Sequence, residues 1–272
     1  MISVFLMGRM GNNLFQIAAG LSLAKKHNTI LYIPRFTWNP PNMVESSYLE
    51  CFELPDIHWV DRFINIKGFL LTYGEQKFSY NEEFESLSDN INLYGYYQSE
   101  KYFKPYEQCI RSNFKFKNKI INSTITKLNK LDVDYKKATA IHIRRGDYVG
   151  LPDAYPLQSV EYYQEALKNI GSKDVIVFSD DIAWCKNNFK STSFTNFVFA
   201  DMNQQHTLCA MTMVSDLVIA NSTFSWWGAW LNENKNKRVY YPKKWFGEIL
   251  PYKNSTHEET MKDLPCSEWI GL

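Results

Sequence analysis

From residue 138 to 234 short apolar runs alternate with amphipathic stretches: "ATAIHIR", "SVEYYQEALKNI", "DVIVFSDD", "IAWCKNNF", "NFVFA", "QHTLCAMTMVSD", "LVIANS" and "FSWWGAWLNEN". Runs rich in Ile and Val with helix-like segments between them are what a parallel sheet, covered on both faces, requires. The pattern predicts an α/β domain over 134–250. The amino terminus starts the same way. "ISVFL" is followed by the glycines of "MGRMGN", by Leu14, Ile17, Ala18 and Leu21 at helical spacing, and by "TILYIP", which reads as β-α-β. A first domain over 1–133 follows, although periodicity fades between 37 and 105, where "WNPPN" interrupts and "YGYYQSEKYF" concentrates aromatic residues. Beyond the strand-like "RVYYP" lies a charged tail, 251–272, able to pack back on the first domain.

Composition narrows the classes of partner. Thirty Lys and Arg against 29 Asp and Glu leave a formal charge of +1 over 272 residues, so no whole-molecule field attracts nucleic acid or an acidic membrane. Any anion must be met by a local cluster. Five scattered cysteines without a CxxC pair argue against a disulfide framework and a zinc site, and favour a reducing compartment. The opening apolar run is too short for a secretory leader and no stretch approaches a membrane span, so the expected location is cytoplasmic, with peripheral contact at the inner face of the membrane left open. Sequons at Asn122, Asn221 and Asn254 would matter only after secretion.

Three polar clusters fall where predicted strands end: "HIRRGD" at 142–147, "SDD" at 179–181 and "ANSTFS" at 220–225. Ligands of open α/β sheets bind at this carboxyl edge. Strand alternation puts His142 and Arg144 on one face and sends Arg145 to the other, so the two arginines divide their work. A guanidinium fork matches phosphate oxygens, and one charge pair at ~4 Å and an effective dielectric near 20 is worth roughly 4 kcal/mol before desolvation. The plainer role is a structural ion pair, Arg145 with Asp147 or another carboxylate. Asn221, Ser222 or Thr223 can cap a helix whose first N–H groups form an anion site, while Trp226, Trp227 and Trp230 read as packing.

Other chemistries lack their signatures. "GRMGNN" is neither a dinucleotide fingerprint nor a phosphate loop, no histidine pair has metal-ligand spacing, and no G-x-S-x-G occurs. One aspartate of "SDD" could simply cap the next helix. No cofactor and no metal are expected.

Together "GRMGNNLFQIAAG" (8–20), "GYYQSEKYF" (95–103), "HIRRGDY" (142–148), "FSDD" (178–181) and "NSTFSWWGAWLN" (221–232) resemble, in order and nearly end to end, the bacterial alpha-1,2-fucosyltransferases of glycosyltransferase family 11, relatives of the blood-group H enzymes. The resemblance implies a GT-B fold, two Rossmann-like domains facing across a cleft. It implies inverting, metal-free transfer of fucose from GDP-fucose to the 2-hydroxyl of a terminal β-galactoside, in bacterial surface-glycan synthesis. Residue by residue, Arg144 matches the arginine at the donor's β-phosphate and His142 lies toward the nucleoside. Ser222, Thr223, Phe224 and Ser225, with Asn221, match the hydroxyl-rich turn near the diphosphate, and Ser179 and Asp180 join the donor site. Gly8, Arg9, Gly11 and Asn12 match the amino-terminal loop facing the donor. Tyr97 and Gln98 fall in the segment placed at the acceptor. The helix carboxylate that pairs guanine in related enzymes is missing: the local sequence is "QQHTLCAM", with Thr207 near that place, which leaves backbone groups, His206 or Asp201. For the base that takes the acceptor's proton, Asp147, Asp153 and Glu161 are the candidates.

A rival from another class is a non-catalytic glycan-binding module, in which Tyr94, Tyr96, Tyr97 and Tyr102 of a chain that is 16% aromatic would be stacking platforms. Within the enzyme class, another linkage or nucleotide sugar on the same fold is the alternative. Phosphate-binding machinery separates a transferase from a lectin.

Overall fold

The computed structural model describes residues 1–61, 71–252 and 255–272. They form two compact units, Met1–Lys117 with Pro251–Leu264 and Asn118–Leu250 with Pro265–Leu272.

The first unit begins with β1 (Ile2–Val4), α1 (Met10–Lys26) and β2 (Leu31–Pro34), the β-α-β start expected from the spacing of Leu14, Ile17 and Leu21. There follow a hairpin, β3 (Phe36–Asn39) and β4 (Asn42–Glu45), then β5 (Ile57–Val60), β6 (Leu71–Gly74), β7 (Ile91–Tyr94) and α2 (Glu107–Asn113). The sheet order is β5-β2-β1-β7-β6, all parallel. It reverses between β1 and β7, the place where such sheets open a crevice at their carboxyl edge. The segment 37–105 was unreadable for a physical reason. Its strands are four residues long, β4 is exposed throughout, and their partners are remote in sequence.

The second unit comprises α3 (Asn118–Leu128), β8 (Thr139–Ile143), α4 (Val160–Ile170), β9 (Asp174–Ser179), α5 (Ile182–Asn188), β10 (Asn196–Phe199), α6 (Gln204–Met211), β11 (Asp216–Val218), α7 (Thr223–Leu231) and β12 (Val239–Tyr241). The chain then contributes α8 (His257–Met261) to the first unit and β13 (Ile270–Gly271) to the second. The six parallel strands run β10-β9-β8-β11-β12-β13, the Rossmann order 3-2-1-4-5-6 with its switch point between β8 and β11. Strand β8 is buried at every position, as a central parallel strand should be. Ile141, Ile143, Val175 and Val177 pack under Tyr163 and Leu167 of α4 and under Phe189; burying each such side chain contributes roughly 1.5–3 kcal/mol. Trp226 and Trp227 are fully buried, and the Trp226 ring stacks on Trp230 at 6.2 Å. They are core.

The break between units falls at 117/118 rather than at 133/134. Helix α3 packs on α6, with Ser123 Oγ 3.0 Å from His206 Nε2, so residues 118–133 belong with the second unit. The tail divides as well. Residues 251–264 join the first unit and 265–272 the second, because β13 extends the second sheet beside β12. Among the described residues no helix is long and apolar enough to cross a membrane.

Candidate functional site

Register brings the three polar clusters of the second unit to one edge. Ile143 of β8 pairs with Ser179 of β9, and Val218 of β11 with Ile141 of β8, so Arg144, Asp180 and Asn221 all emerge just past the strand ends.

Arg144 is held by two carboxylates, Asp147 through Nη2 and Asp180 through Nη1 at 2.8 Å, and its guanidinium lies 5.5 Å from the Tyr148 ring centre. Arg145 turns away, bonds Asp181 at 3.1 Å and stacks 4.0 Å over Trp184. The division of labour expected from alternation is therefore present, but the pairing with Asp147 falls to Arg144 and not to Arg145. Asp180 also accepts from the Arg145 backbone N–H at 2.9 Å. Gly146 makes this possible, since a Cβ there would stand 2.5 Å from Asp180 Oδ2. Asp181 caps α5 through Trp184 N–H, so "SDD" divides into an arginine partner and a helix cap. Ser179 accepts from the Asp181 N–H at 2.9 Å.

His142 is buried, with its ring 5.3 Å from Phe224. Burial, and then the charge of Arg144, pull its pKa down to about 3, because a low-dielectric site disfavours the imidazolium. The ring is neutral at any ordinary pH. Three buried atoms at this edge have no hydrogen-bond partner: His142 Nδ1, Arg144 Nε and Asn221 Oδ1. Buried polar atoms in proteins are nearly always satisfied, and these three lie on β8, just past it and just past β11, the strands on either side of the switch point.

The turn before α7 is only partly what its hydroxyls suggest. Ser222 is the N-cap but makes no side-chain cap bond, whereas α4, α5, α6 and α8 are each capped by a side chain. The start of α7, with Thr223 and Phe224, keeps its positive dipole end free of a side-chain cap. Asn221 is structural through its amide nitrogen, which donates to Pro156 O at 3.0 Å and Trp245 O at 2.9 Å. Its burial and these bonds remove it as a glycosylation acceptor in the folded protein. Asn122 lies on α3 and Asn254 outside the described residues. Ser225 is fully buried and donates to Ala220 O and Ser222 O. Contrary to the expectation for it, its hydroxyl serves the turn and not a ligand.

Other candidates are also corrected. His206 has both ring nitrogens engaged, Nδ1 with Asn203 at 2.7 Å and Nε2 with Ser123 at 3.0 Å, and Thr207 is buried on Met202 O. Asp201 remains exposed beside them. Glu161 is held below the usual carboxylate range by its own backbone N–H and the Ser159 hydroxyl at the start of α4, a helix-end role that does not suit a base. Asp153 is exposed.

In the first unit the loop after β1 and the segment after β7 meet at that sheet's own switch point. Gly8 takes a left-handed φ of +78°, and a Cβ there would stand 2.4 Å from Asn12 Nδ2. Arg9 is the exposed N-cap of α1, Gly11 is buried in its first turn, and Asn12 accepts from Gln98 Nε2 at 3.1 Å. Tyr97, expected at the acceptor, is 1% exposed; its ring meets Tyr102 edge-on at 5.3 Å. With Tyr102 also buried, the four tyrosines form no stacking platform, which removes the basis of the lectin reading.

Two features were missed by the sequence reading. Asn13 and Gln16 are buried amides that fix the loop. Asn13 Nδ2 donates to Met7 O at 2.9 Å and lies 3.2 Å from Thr37 Oγ1, while Gln16 spans Met7 N and Gly95 O. Glu75, just past β6, accepts from Tyr96 N, Tyr97 N and the Tyr252 hydroxyl, each within 2.9 Å. Burial outweighs those bonds and raises its pKa to about 7. Only the polar letters inside "GRMGNNLFQ" hinted at the amides, and nothing hinted at Glu75.

Comparison with known proteins bears on what these edges do. A relative is the Escherichia coli O-antigen biosynthesis glycosyltransferase WbnK, 32% identical over 66% of this chain. The match spans only 60% of that protein. The Escherichia coli alpha-1,2-colitosyltransferase is 28% identical over 98% of this chain and 97% of its own length. Among solved structures, POFUT1 in complex with GDP-fucose superposes with a TM-score of 0.56 at 14% identity, covering 88% of this chain and 96% of that one. That likeness identifies the fold as GT-B, in keeping with two parallel Rossmann-like sheets. With the family model described as glycosyl transferase family 11 matching residues 1–246, the chain belongs to that family of sugar-transferring enzymes.

Proposed function

We propose that the protein transfers L-fucose from GDP-fucose to the 2-hydroxyl of a terminal β-galactoside with inversion, in the synthesis of a surface glycan. The observation that carries this reading is the switch-point edge of the second unit, where Arg144, the uncapped start of α7 and three unpartnered buried atoms converge. As the bond from fucose C1 to the β-phosphate oxygen breaks, its electron pair stays on GDP. Fixed donors that meet this growing charge lower the barrier without reorganising at the moment of reaction. Arg144 and the α7 N–H groups are those donors. Neutral His142, beside Phe224, faces the nucleoside, with Ser179 and Asp180 completing the donor site. No nucleic acid partner enters this reading.

Arg144 must exchange a carboxylate for the diphosphate. When the anion arrives, Asp147 gives up Nη2 to it, and Asp147 is the carboxylate that takes the proton of the attacking hydroxyl. Arg9, Gly11 and Asn12, with Gln98, shape the first unit's contribution. The positive charge needed at the leaving group is supplied by protein donors, so activity should persist in a chelator. Loss of activity restored only by Mg²⁺ or Mn²⁺ would contradict this.

The relation to the colitosyltransferase over nearly the whole chain favours a second donor, the colitose counterpart of GDP-fucose. Purified protein incubated with each donor, and with lactose or lacto-N-biose, tests both. The expected product carries an alpha-1,2 linkage by NMR. Transfer from a UDP-sugar, or to another hydroxyl, would overturn the assignment.

A further inference from the structure

Within the first unit a cavity of ≈ 200 Å³ lies past the carboxyl ends of β2 and β5, bordered by Arg35, Phe52 and Trp59 and by the 3-10 turn Ser47–Cys51. It is open to solvent and holds about seven waters' volume at ~30 Å³ each, room for one pyranose ring. Its chemistry is specific. Glu45, Glu50 and Glu53 face it together with Lys117, while the charge of Arg35 is already met by Asp61 at 2.8 Å. Among the described residues, three carboxylates stand against Lys117 and an Arg35 already paired with Asp61, a balance that disfavours a phosphate or an acidic sugar. Carboxylates that accept from hydroxyls, beside aromatic surface, suit a neutral polyol with an apolar face. Phe52 is buried beneath the opening, locked against Phe116 at 4.7 Å and Phe114 at 5.5 Å, so the aromatic face offered to a ligand is that of half-buried Trp59. Trp59 is held beneath the Arg35 guanidinium at 5.7 Å.

The cavity is also wired to the loop after β1. Tyr48, on the same turn as Ser47 and Glu50, bonds Asn13 Oδ1. The hairpin strand that begins beside Arg35 exchanges backbone bonds with the loop, Trp38 N to Leu6 O and Gly8 N to Trp38 O, both 2.8 Å. Strand β5 is two places from β1 in the sheet, about 10 Å at ~4.8 Å per strand. A glycan whose reacting sugar lies at the β1/β7 switch point would therefore place a neighbouring sugar here.

We propose that this cavity is an acceptor subsite for one uncharged pyranose, distinct from the sugar that receives the transferred residue, and that it sets the preferred acceptor length. The proposal rests on the glycosyl-transfer reading above. The test compares wild type, Glu50→Gln and Trp59→Ala with β-galactosides of one to four sugars, alongside saturation-transfer NMR of the same glycans without donor. Glu50 is exposed, so its variant tests the site even if the tryptophan variant folds poorly. KM should fall by about tenfold, or 1.4 kcal/mol, when the glycan reaches the length that fills the cavity. Both variants should lose that step while kcat and the KM for the single galactoside stay unchanged. Retention of the wild-type length preference in Glu50→Gln would overturn the subsite. If no donor supports transfer by wild type, the transfer reading fails by itself. NMR then decides the subsite: contact to one internal sugar that is lost in the variants upholds it, and unchanged spectra sink it.

Discussion

The two parallel sheets reverse their strand order beside their first strands, β1 in one unit and β8 in the other, and at each reversal a loop runs into a helix with no side-chain cap, α1 and α7. The chemistry at the two places differs. In the second unit the edge is ionic, with Arg144 between Asp147 and Asp180 and unpartnered atoms beside it. In the first it is built from amides, Asn13, Gln16 and Gln98, whose donors and acceptors are spent on the backbone and on each other. An ionic edge can trade one anion for another. An amide lattice holds a shape. The same topology thus carries an ionic edge in one unit and an amide-bonded edge in the other, and under the proposed function these serve charge stabilisation and positioning.

Changes at the two edges should accordingly separate turnover from stability. Arg144→Ala should cost about 10²–10³ in kcat/KM, the usual range for removing one donor aimed at developing charge, while Tm changes by only a few degrees. Arg145→Ala, which loses Asp181 and Trp184 contacts, should do the reverse; equal catalytic losses in the two variants would break the division drawn between them. In the first unit Asn13→Ala removes the bonds that Asn13 makes with the Met7 carbonyl, Gln16 and Tyr48 and should lower stability by about 1–3 kcal/mol, read from urea unfolding. A turnover loss without destabilisation would move Asn13 from the scaffold to the chemistry.

Gly146→Ala forces a Cβ toward Asp180 and should weaken GDP binding by about tenfold, or 1.4 kcal/mol, measured by calorimetry. The smallest effect concerns Glu75. Its folded pKa, about 7, lies above the ordinary 4.5, so between those values the folded state holds a proton that the unfolded chain has released. Its contribution to stability is fully present below about pH 4.5 and is lost as pH rises to about 7. Glu75→Gln should flatten that part of the stability curve, and an unchanged slope would mean that Glu75 is ionised throughout.

The contrast also explains what could be read in advance. Strands β8, β9 and β11 are central and apolar, so their ends were visible, and Arg144 and Asp180 with them. The carboxylates that grip Arg144 were within sight, but the choice of Arg144 over Arg145 depended on where the strand stops. Tyr97 and Ser225 misled because residue type does not reveal depth: a tyrosine suits a glycan surface or a core, and a serine suits a phosphate or a buried carbonyl. Asn13, Gln16 and Glu75 act through partners such as Gly95, Thr37 and Tyr252, remote along the chain, and no local pattern records such distances. The boundary at 117/118 escaped for the same reason, since α3 is defined by its contact with α6.

A crystal structure with GDP bound addresses the central claim most directly. The account predicts the β-phosphate within hydrogen-bond distance of the Arg144 guanidinium and of the first N–H groups of α7, with Asp147 released from Nη2. Nucleotide bound at another edge, or Arg144 still gripped by both aspartates beside an occupied site, would contradict it.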